Sequence, residues 1–499
     1  MFIKEILREL NFGSSVAEYD AHLERYFVET EPFRALVEGR VDVIAGDKGS
    51  GKSALYKILS ERYSQYPELR HVEVLSAFNP VGTPVFQRLN EANLLDETEY
   101  INVWKAYFLA LAGNWVLEFA DGDYTDRMRV LHNTLTQAGL RSDDGSPNGA
   151  FSNLINRIKK VLRLKSAEAR AKLGPAEIAG KIELFDGVSG LDCTNASYDD
   201  ALRILESVMT EMSTTFWLAV DRLDEAFQGR PAIERSALRA LLRTFLDMQE
   251  FSHIRLKLFV RRDLFRRIVS GGFVNLTHVD ARKMDIRWDD ADLDSLLYKR
   301  IMQNEQFLSL LPGSKLTSAD LFYTLFPSQV DPGSRKPKTW TWMLGRISDG
   351  NGVKPPRNLI DLVSKAREAQ LREEDRVPRT YSYQEPLITS DSLKKDLEAL
   401  SVQRVLDTLL AEAGDFAELI DKFRDGKAEH NPDSLRDILG ENATEDAKYL
   451  QSIGFLEQIG SSYKVPMLYR GGLNITQGKA FSEGTEGPHA ESEHEESSG

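Results

Sequence analysis

Apolar residues recur at two periods along this chain, and the switching between them lays out its architecture. MFIKEILREL (1–10) spaces apolar residues at helical intervals among charges, so an amphipathic helix is expected there and not a secretory signal. VDVIA (41–45) and HVEVL (71–75) are short apolar runs of strand type. FWLAV (216–220) and RLKLFV (255–260) are two more, each feeding a helical pattern. Strands alternating with helices predict a parallel sheet with crossover connections. Between the second and third of these strands, residues 84–212 read as largely helical, as in EYINVWKAYFLALAGNWVLEF (99–119), with loop chemistry in RSDDGSPNGA (141–150). This stretch is expected as a large helical insertion into the sheet.

Beyond Trp288 the pattern is helical through SKAREAQ, interrupted by the loop PSQVDPGSRKPK (327–338). The segment 381–480 closes on YLQSIGFLEQIGSSYKVPMLYRGGL, a helix followed by a glycine turn and two short strands, as in a winged helix. The final SEGTEGPHAESEHEESSG is almost devoid of apolar residues and is expected to be disordered. The predicted organisation is a linker helix and first part of an α/β core (1–83), the helical insertion (84–212), the second part of the core (213–290), a helical lid (291–380), a winged-helix-like domain (381–480) and the acidic tail (481–499). No internal repeat is found.

Charge refines this outline. The net charge is −14, and twelve of those charges fall after residue 380, six of them in the last nineteen residues. An acidic chain is a poor default partner for DNA phosphates, which are neutralised by Lys and Arg. The basic amphipathic stretch RIKKVLRLKSAEARAK (157–172) is the local exception, but residues 381–480 carry a net −6 where a DNA-reading wing presents basic residues. Nucleic acid is therefore not favoured as a partner. The single cysteine, Cys193, excludes an internal disulfide, and no apolar run approaches the roughly 20 residues that span a bilayer. A cytoplasmic protein without a membrane contact is expected.

The strongest chemical signal is GDKGSGKS (46–53), which fits G-x-x-x-x-G-K-[ST] at every fixed position and sits between an apolar strand and a helical pattern. Gly46, Gly49 and Gly51 let the backbone turn its N–H groups toward phosphate oxygens, with Asp47, Lys48, Ser50 and Ala54 completing the cradle. Lys52 is expected at the β- and γ-phosphates and Ser53 on Mg²⁺, so the predicted cofactors are ATP and Mg²⁺. The second carboxylate for the metal is expected at the end of a neighbouring buried strand, and FWLAVDRLDEAF supplies Asp221 there. Asp224 or Glu225 is expected to orient the attacking water, and the choice between them stays open. At the tip of RLKLFV, Arg261 and Arg262 are candidates for sensing the γ-phosphate, set against a solvated basic helix start capped by Asp263. Arg266 and Arg267, or the stripe Arg235, Arg239 and Arg243, are candidates for an arginine finger. In NGVKPPRNLIDL, Arg357 opens a Pro-initiated helix and is a candidate to touch the nucleotide from a lid.

Taken in order, FGSSVAEYDAHLERYFVET, GDKGSGKSAL, VDRLDEAF, LFVRRDLFRRI, the Trp288-Asp289-Asp290 run and PPRNLIDL resemble the bacterial P-loop ATPases at the border of AAA+ and STAND NTPases. The KAP-type NTPases, which share the D-x-L-D form of the second motif, are a neighbouring resemblance. The resemblance implies an additional-strand P-loop fold, a homo-oligomeric switch or motor acting on an effector protein, and a setting such as antiviral defence. It also implies that Phe12-Gly13 and Tyr26-Phe27 line an adenine pocket, against the reading that they pack on the core. Arg222 departs from the strict AAA+ pattern, which has glutamate directly after the metal aspartate. Two further readings follow: a nucleotide-gated scaffold with little turnover, and a DNA-associated ATPase of initiator or clamp-loader type.

Overall fold

This computed structural model describes residues 1–77, 96–141, 197–223, 231–311, 317–382, 385–410 and 416–481. The chain divides into two compact units, Gly13–Lys299 and a second that joins Met1–Phe12 to Arg300–Gly499. The predicted basic helix at 157–172, the acidic tail, and Asp224 and Glu225 lie outside the described residues.

In the first unit, β1 (Val43–Gly46), β2 (Val72–Ser76), β3 (Thr215–Val220), β4 (Ile254–Arg261) and β5 (Lys283–Asp285) form one sheet in the order β2-β3-β4-β1-β5. Every pairing is parallel, with Val43 opposite Leu258 and Phe216 opposite Ile254. β4 is thus inserted between the strand that precedes the glycine-rich loop and the strand that ends at Asp221, as expected of an additional-strand P-loop fold. The strands read as nearly continuous apolar runs because both faces of the sheet are covered. Phe216, Leu218 and Val220 face a core shared with the helices Glu97–Phe119, Tyr198–Met212 and Pro231–Asp247. Trp217 and Ala219 alternate onto the opposite face with Leu55, Ile58 and Leu59 of the helix Lys52–Arg62.

The predicted insertion is helical where it is described, and it packs as part of the sheet's own core. Trp104 is fully buried and its indole N–H donates to the Ala237 carbonyl at 2.8 Å. Lys105 reaches Asp199 at 2.8 Å and Asp247 at 2.7 Å, tying three helices together.

In the second unit, the N-terminal helix Ile3–Arg8 is held against the helix Pro356–Arg376. Ile3 N–H donates to the Arg379 carbonyl at 3.0 Å, and Arg367 Nε donates to the Leu7 carbonyl at 2.7 Å. β6 (Lys427–His430), the helices Pro432–Leu439 and Ala443–Ser452, β7 (Glu457–Ile459) and β8 (Ser462–Lys464) have winged-helix topology. The β7–β8 hairpin pairs antiparallel with β6, and β9 (Thr476–Lys479) adds to the far edge of β6. No helix among the described residues is long and apolar enough to cross a membrane.

Candidate nucleotide-binding site

The loop from Gly46 to Gly51 joins β1 to the helix Lys52–Arg62. A Cβ on Gly46 would lie 2.4 Å from Ser50 Oγ and 3.3 Å from Ile286 Cβ, so any side chain there must displace Ser50 and press on Ile286. Gly49 and Gly51 take positive φ, +76° and +99°, a left-handed conformation that side-chain-bearing residues resist. No side chain caps the helix at Gly51. Its first-turn N–H groups and the positive end of its dipole therefore face the loop, which is how a helix terminus receives an anion. Lys52 Nζ folds back to donate to the carbonyls of Gly46 and Asp47, both at 3.0 Å. The lysine is thereby held over the cradle that its own loop forms.

Asp221 follows β3 and is only 4% exposed. Burial pushes its carboxyl up to about 6, opposed by the Arg222 backbone N–H, the Lys52 ammonium, the Ser53 hydroxyl and the Arg222 side chain. The Ser53 hydroxyl lies close enough to Asp221 to favour its charged form, bringing together the two residues predicted as Mg²⁺ ligands. A buried carboxylate that pays heavily for its charge is stabilised by a divalent cation, and a hydroxyl with a carboxylate is an oxygen donor set suited to Mg²⁺. The residues fit the metal.

The two arginines predicted at the end of β4 make different contacts. Arg262 Nη1 donates to Asp47 Oδ2 in the loop at 2.6 Å, and its Nη2 donates to the Ile286 carbonyl at 3.3 Å. Arg261 turns to its neighbour Asp263, at 3.0 and 2.9 Å. Trp288 adds an anchor from beyond β5, donating its indole N–H to the Ser50 carbonyl at 2.8 Å.

The arginine-finger candidates are engaged within the chain. Arg239 and Arg243 both reach Glu97, at 3.3 and 3.2 Å, and lie over the Phe273 ring. Arg235 donates to the Ser270 carbonyl, Arg243 to that of Val274 at 3.2 Å, and Arg267 reaches Glu234 at 3.4 Å. Arg266 is close enough to Asp47 to favour its charged form. Arg357 belongs to the second unit, in the first turn of Pro356–Arg376, where its charge bears on Arg404. Tyr26 is buried in the sheet's core with its hydroxyl on Asp20, and Phe27 packs edge-on to Phe33 at 4.9 Å.

One member of the site escaped the sequence reading. Glu18, in the short turn Ala17–Tyr19, accepts from Arg222 Nη2 at 2.6 Å and is a hydrogen-bonding neighbour of Ser53. Glu18 lies within FGSSVAEYDAHLERYFVET, but nothing in that stretch singles out this glutamate or ties it to a residue two hundred positions away.

No protein-family model matches this chain, and the comparison with curated proteins finds no match. Solved structures similar to it include the ORC2 protein of Aeropyrum pernix in ADPNP and ADP complexes, at 14% identity and a TM-score of 0.38, covering 90% of this chain and 94% of that one. A Walker-type ATPase of Pyrococcus abyssi is similar at 10% identity and a TM-score of 0.37, covering 90% of this chain and 96% of that one. The Aeropyrum pernix ORC1 protein in complex with DNA is similar at 12% identity and a TM-score of 0.33, covering 92% and 96%. At these values the likeness assigns no activity or partner, and the convergence of Lys52, Ser53 and Asp221 is what the functional reading rests on.

Proposed function

We propose that this protein is an Mg²⁺-dependent ATPase of P-loop type that works as a nucleotide-controlled oligomeric switch. The observation carrying the reading is that a complete phosphate loop and a buried strand-end carboxylate meet at Ser53. The loop N–H groups and Lys52 are the groups to hold the phosphate chain, and Ser53 and Asp221 are those to hold the metal. Bound Mg²⁺ would neutralise charge on the terminal phosphates. Arg262, fixed on Asp47 at the tip of β4, is the side chain to report on the end of that chain. The effector partner and the antiviral setting have no support in the comparisons.

The test is steady-state phosphate release with Mg²⁺ and ATP, beside mass photometry with and without nucleotide. Lys52→Ala and Asp221→Ala are each expected to abolish turnover, and unchanged hydrolysis in both refutes the reading. Retention of nucleotide through gel filtration with negligible turnover would favour the scaffold instead.

The winged-helix topology of residues 427–464 supports a second reading, a DNA-associated ATPase of initiator type. The first-turn acids of its helix Ala443–Ser452, exposed Glu445 and half-buried Asp446, weigh against that helix as the DNA-facing element. Hydrolysis stimulated by DNA and falling steeply with salt is the result that would establish this second reading.

A further inference from the structure

Asp221 is followed directly by a cation, where a second carboxylate would serve a P-loop hydrolase better. Arg222 takes φ +56°, a left-handed backbone that a bulky side chain resists and that persists only where surrounding contacts hold it. Its guanidinium is held by Glu18 at 2.6 Å. The turn that carries Glu18 is itself pinned to the helix Lys52–Arg62, because Lys57 Nζ donates to the carbonyls of Ala17 at 3.1 Å and Asp20 at 3.0 Å. The pair is about seven-tenths buried on both sides, so it is not an ordinary solvated surface bridge. Asp221 feels two cations, Lys52 and Arg222. The first belongs to the phosphate cradle, whereas the second, turned from Glu18 to Asp221, would compete with a metal for that carboxylate.

We propose that Glu18 is a positioning residue of the nucleotide site: by holding the Arg222 guanidinium it keeps that cation off Asp221 and leaves the carboxylate to Mg²⁺. The inference rests on the ATPase reading above. It makes the N-terminal segment a determinant of metal affinity.

The experiment is equilibrium binding of a fluorescent ATP analogue titrated with Mg²⁺, with no turnover required. Glu18→Gln removes the carboxylate charge that draws the Arg222 guanidinium away from Asp221. A unit charge brought to ~6 Å of a carboxylate at an effective dielectric of about 40 shifts its cation affinity about tenfold. Half-saturation by Mg²⁺ is therefore expected to rise about tenfold, with nucleotide binding in EDTA unchanged. Arg222→Ala alone should retain wild-type Mg²⁺ dependence, and Glu18→Gln combined with Arg222→Ala should restore it. Glu18→Asp, which keeps the charge, should stay near wild type.

An unshifted Glu18→Gln overturns the inference. So does a double variant as weak as Glu18→Gln, which would mean that Glu18 acts on the metal or the fold itself. Should Glu18→Gln not fold, Glu18→Ala is read in its place: a rise of about tenfold that added Arg222→Ala reverses upholds the role, and an unshifted Glu18→Ala overturns it. If the wild-type chain shows no Mg²⁺-dependent nucleotide binding, with Lys52→Ala indistinguishable from it, the ATPase reading fails and takes this inference with it.

Discussion

Beneath the phosphate loop, Lys257 is an ammonium almost wholly out of water, and its titration is the sharpest test of the sheet's electrostatics. Its side chain is 1% exposed; Nζ lies 2.7 Å from Asp42 Oδ1, 3.1 Å from the Val41 carbonyl and 3.7 Å from the centre of the Trp217 ring. The other Asp42 oxygen takes Arg282 Nε at 2.8 Å. These residues pin β4, the start of β1 and the approach to β5, the strands from which Arg262, the loop and Trp288 emerge. Burial pushes Lys257 down from 10.5 to about 8, because the attraction of Asp42 does not fully offset desolvation. The displacement corresponds to about 3 kcal/mol against holding the charge, at about 1.36 kcal/mol per pKa unit.

Between those two values the unfolded chain binds a proton that the folded chain has released, so stability rises with pH across the window. Below about pH 8 the penalty is present in full, and above about 10.5 it is gone. Lys257→Met, similar in length, lacks this contribution. Urea unfolding of both proteins without nucleotide should show the wild type gaining about 2–3 kcal/mol on the variant between about pH 7.5 and 10.5. Taking the difference cancels the other titrating groups. A flat difference would refute the reasoning, as would a fall, which is what a lysine stabilised by its ion pair would give.

Asp42→Asn should act in the opposite sense at neutral pH, leaving Lys257 and Arg282 without a carboxylate and costing about 3–5 kcal/mol in denaturant midpoints converted to free energy. Arg262→Ala is expected to lower the turnover number by about tenfold or more while Arg261→Ala changes it by less than about threefold, since Arg262 is bonded to Asp47 of the loop and Arg261 to Asp263. Equal effects in kinetic assays would remove that distinction. Gly46→Ala places a methyl against Ser50 Oγ and Ile286 and should weaken nucleotide binding by about tenfold or more in a fluorescence titration without unfolding the sheet. Lys105→Ala breaks the bridge to Asp199 and Asp247 and should cost about 1–3 kcal/mol in thermal unfolding, with ATP affinity unchanged.

The strand–loop–helix frame around GDKGSGKS and the buried strand end at Asp221 were legible because their signals are local. Strand, glycine-rich turn and helix are contiguous from Val43 to Arg62, and Asp221 directly follows an apolar run that only a buried strand explains. The winged-helix topology was legible for the same reason, a helix, a turn and a hairpin in uninterrupted order. Adjacent arginines defeated that logic. Arg261 and Arg262 are equivalent in composition, and only the geometry at the end of β4 turns one to Asp263 and the other to Asp47.

Tertiary packing alone decided the rest. The stripe Arg235, Arg239 and Arg243 reads as a solvated or finger-like face until Glu97 and the Phe273 ring are brought against it. Lys257 sits mid-strand in RLKLFV as an apparent exception to the apolar run, and its burial makes sense only once β1 supplies Asp42 beside it. Glu18 and Arg222 meet because the turn Ala17–Tyr19 is clamped to the helix that follows the loop. Periodicity and spacing report what a segment does with its near neighbours. Charge pairing across hundreds of residues depends on which strands the fold sets side by side.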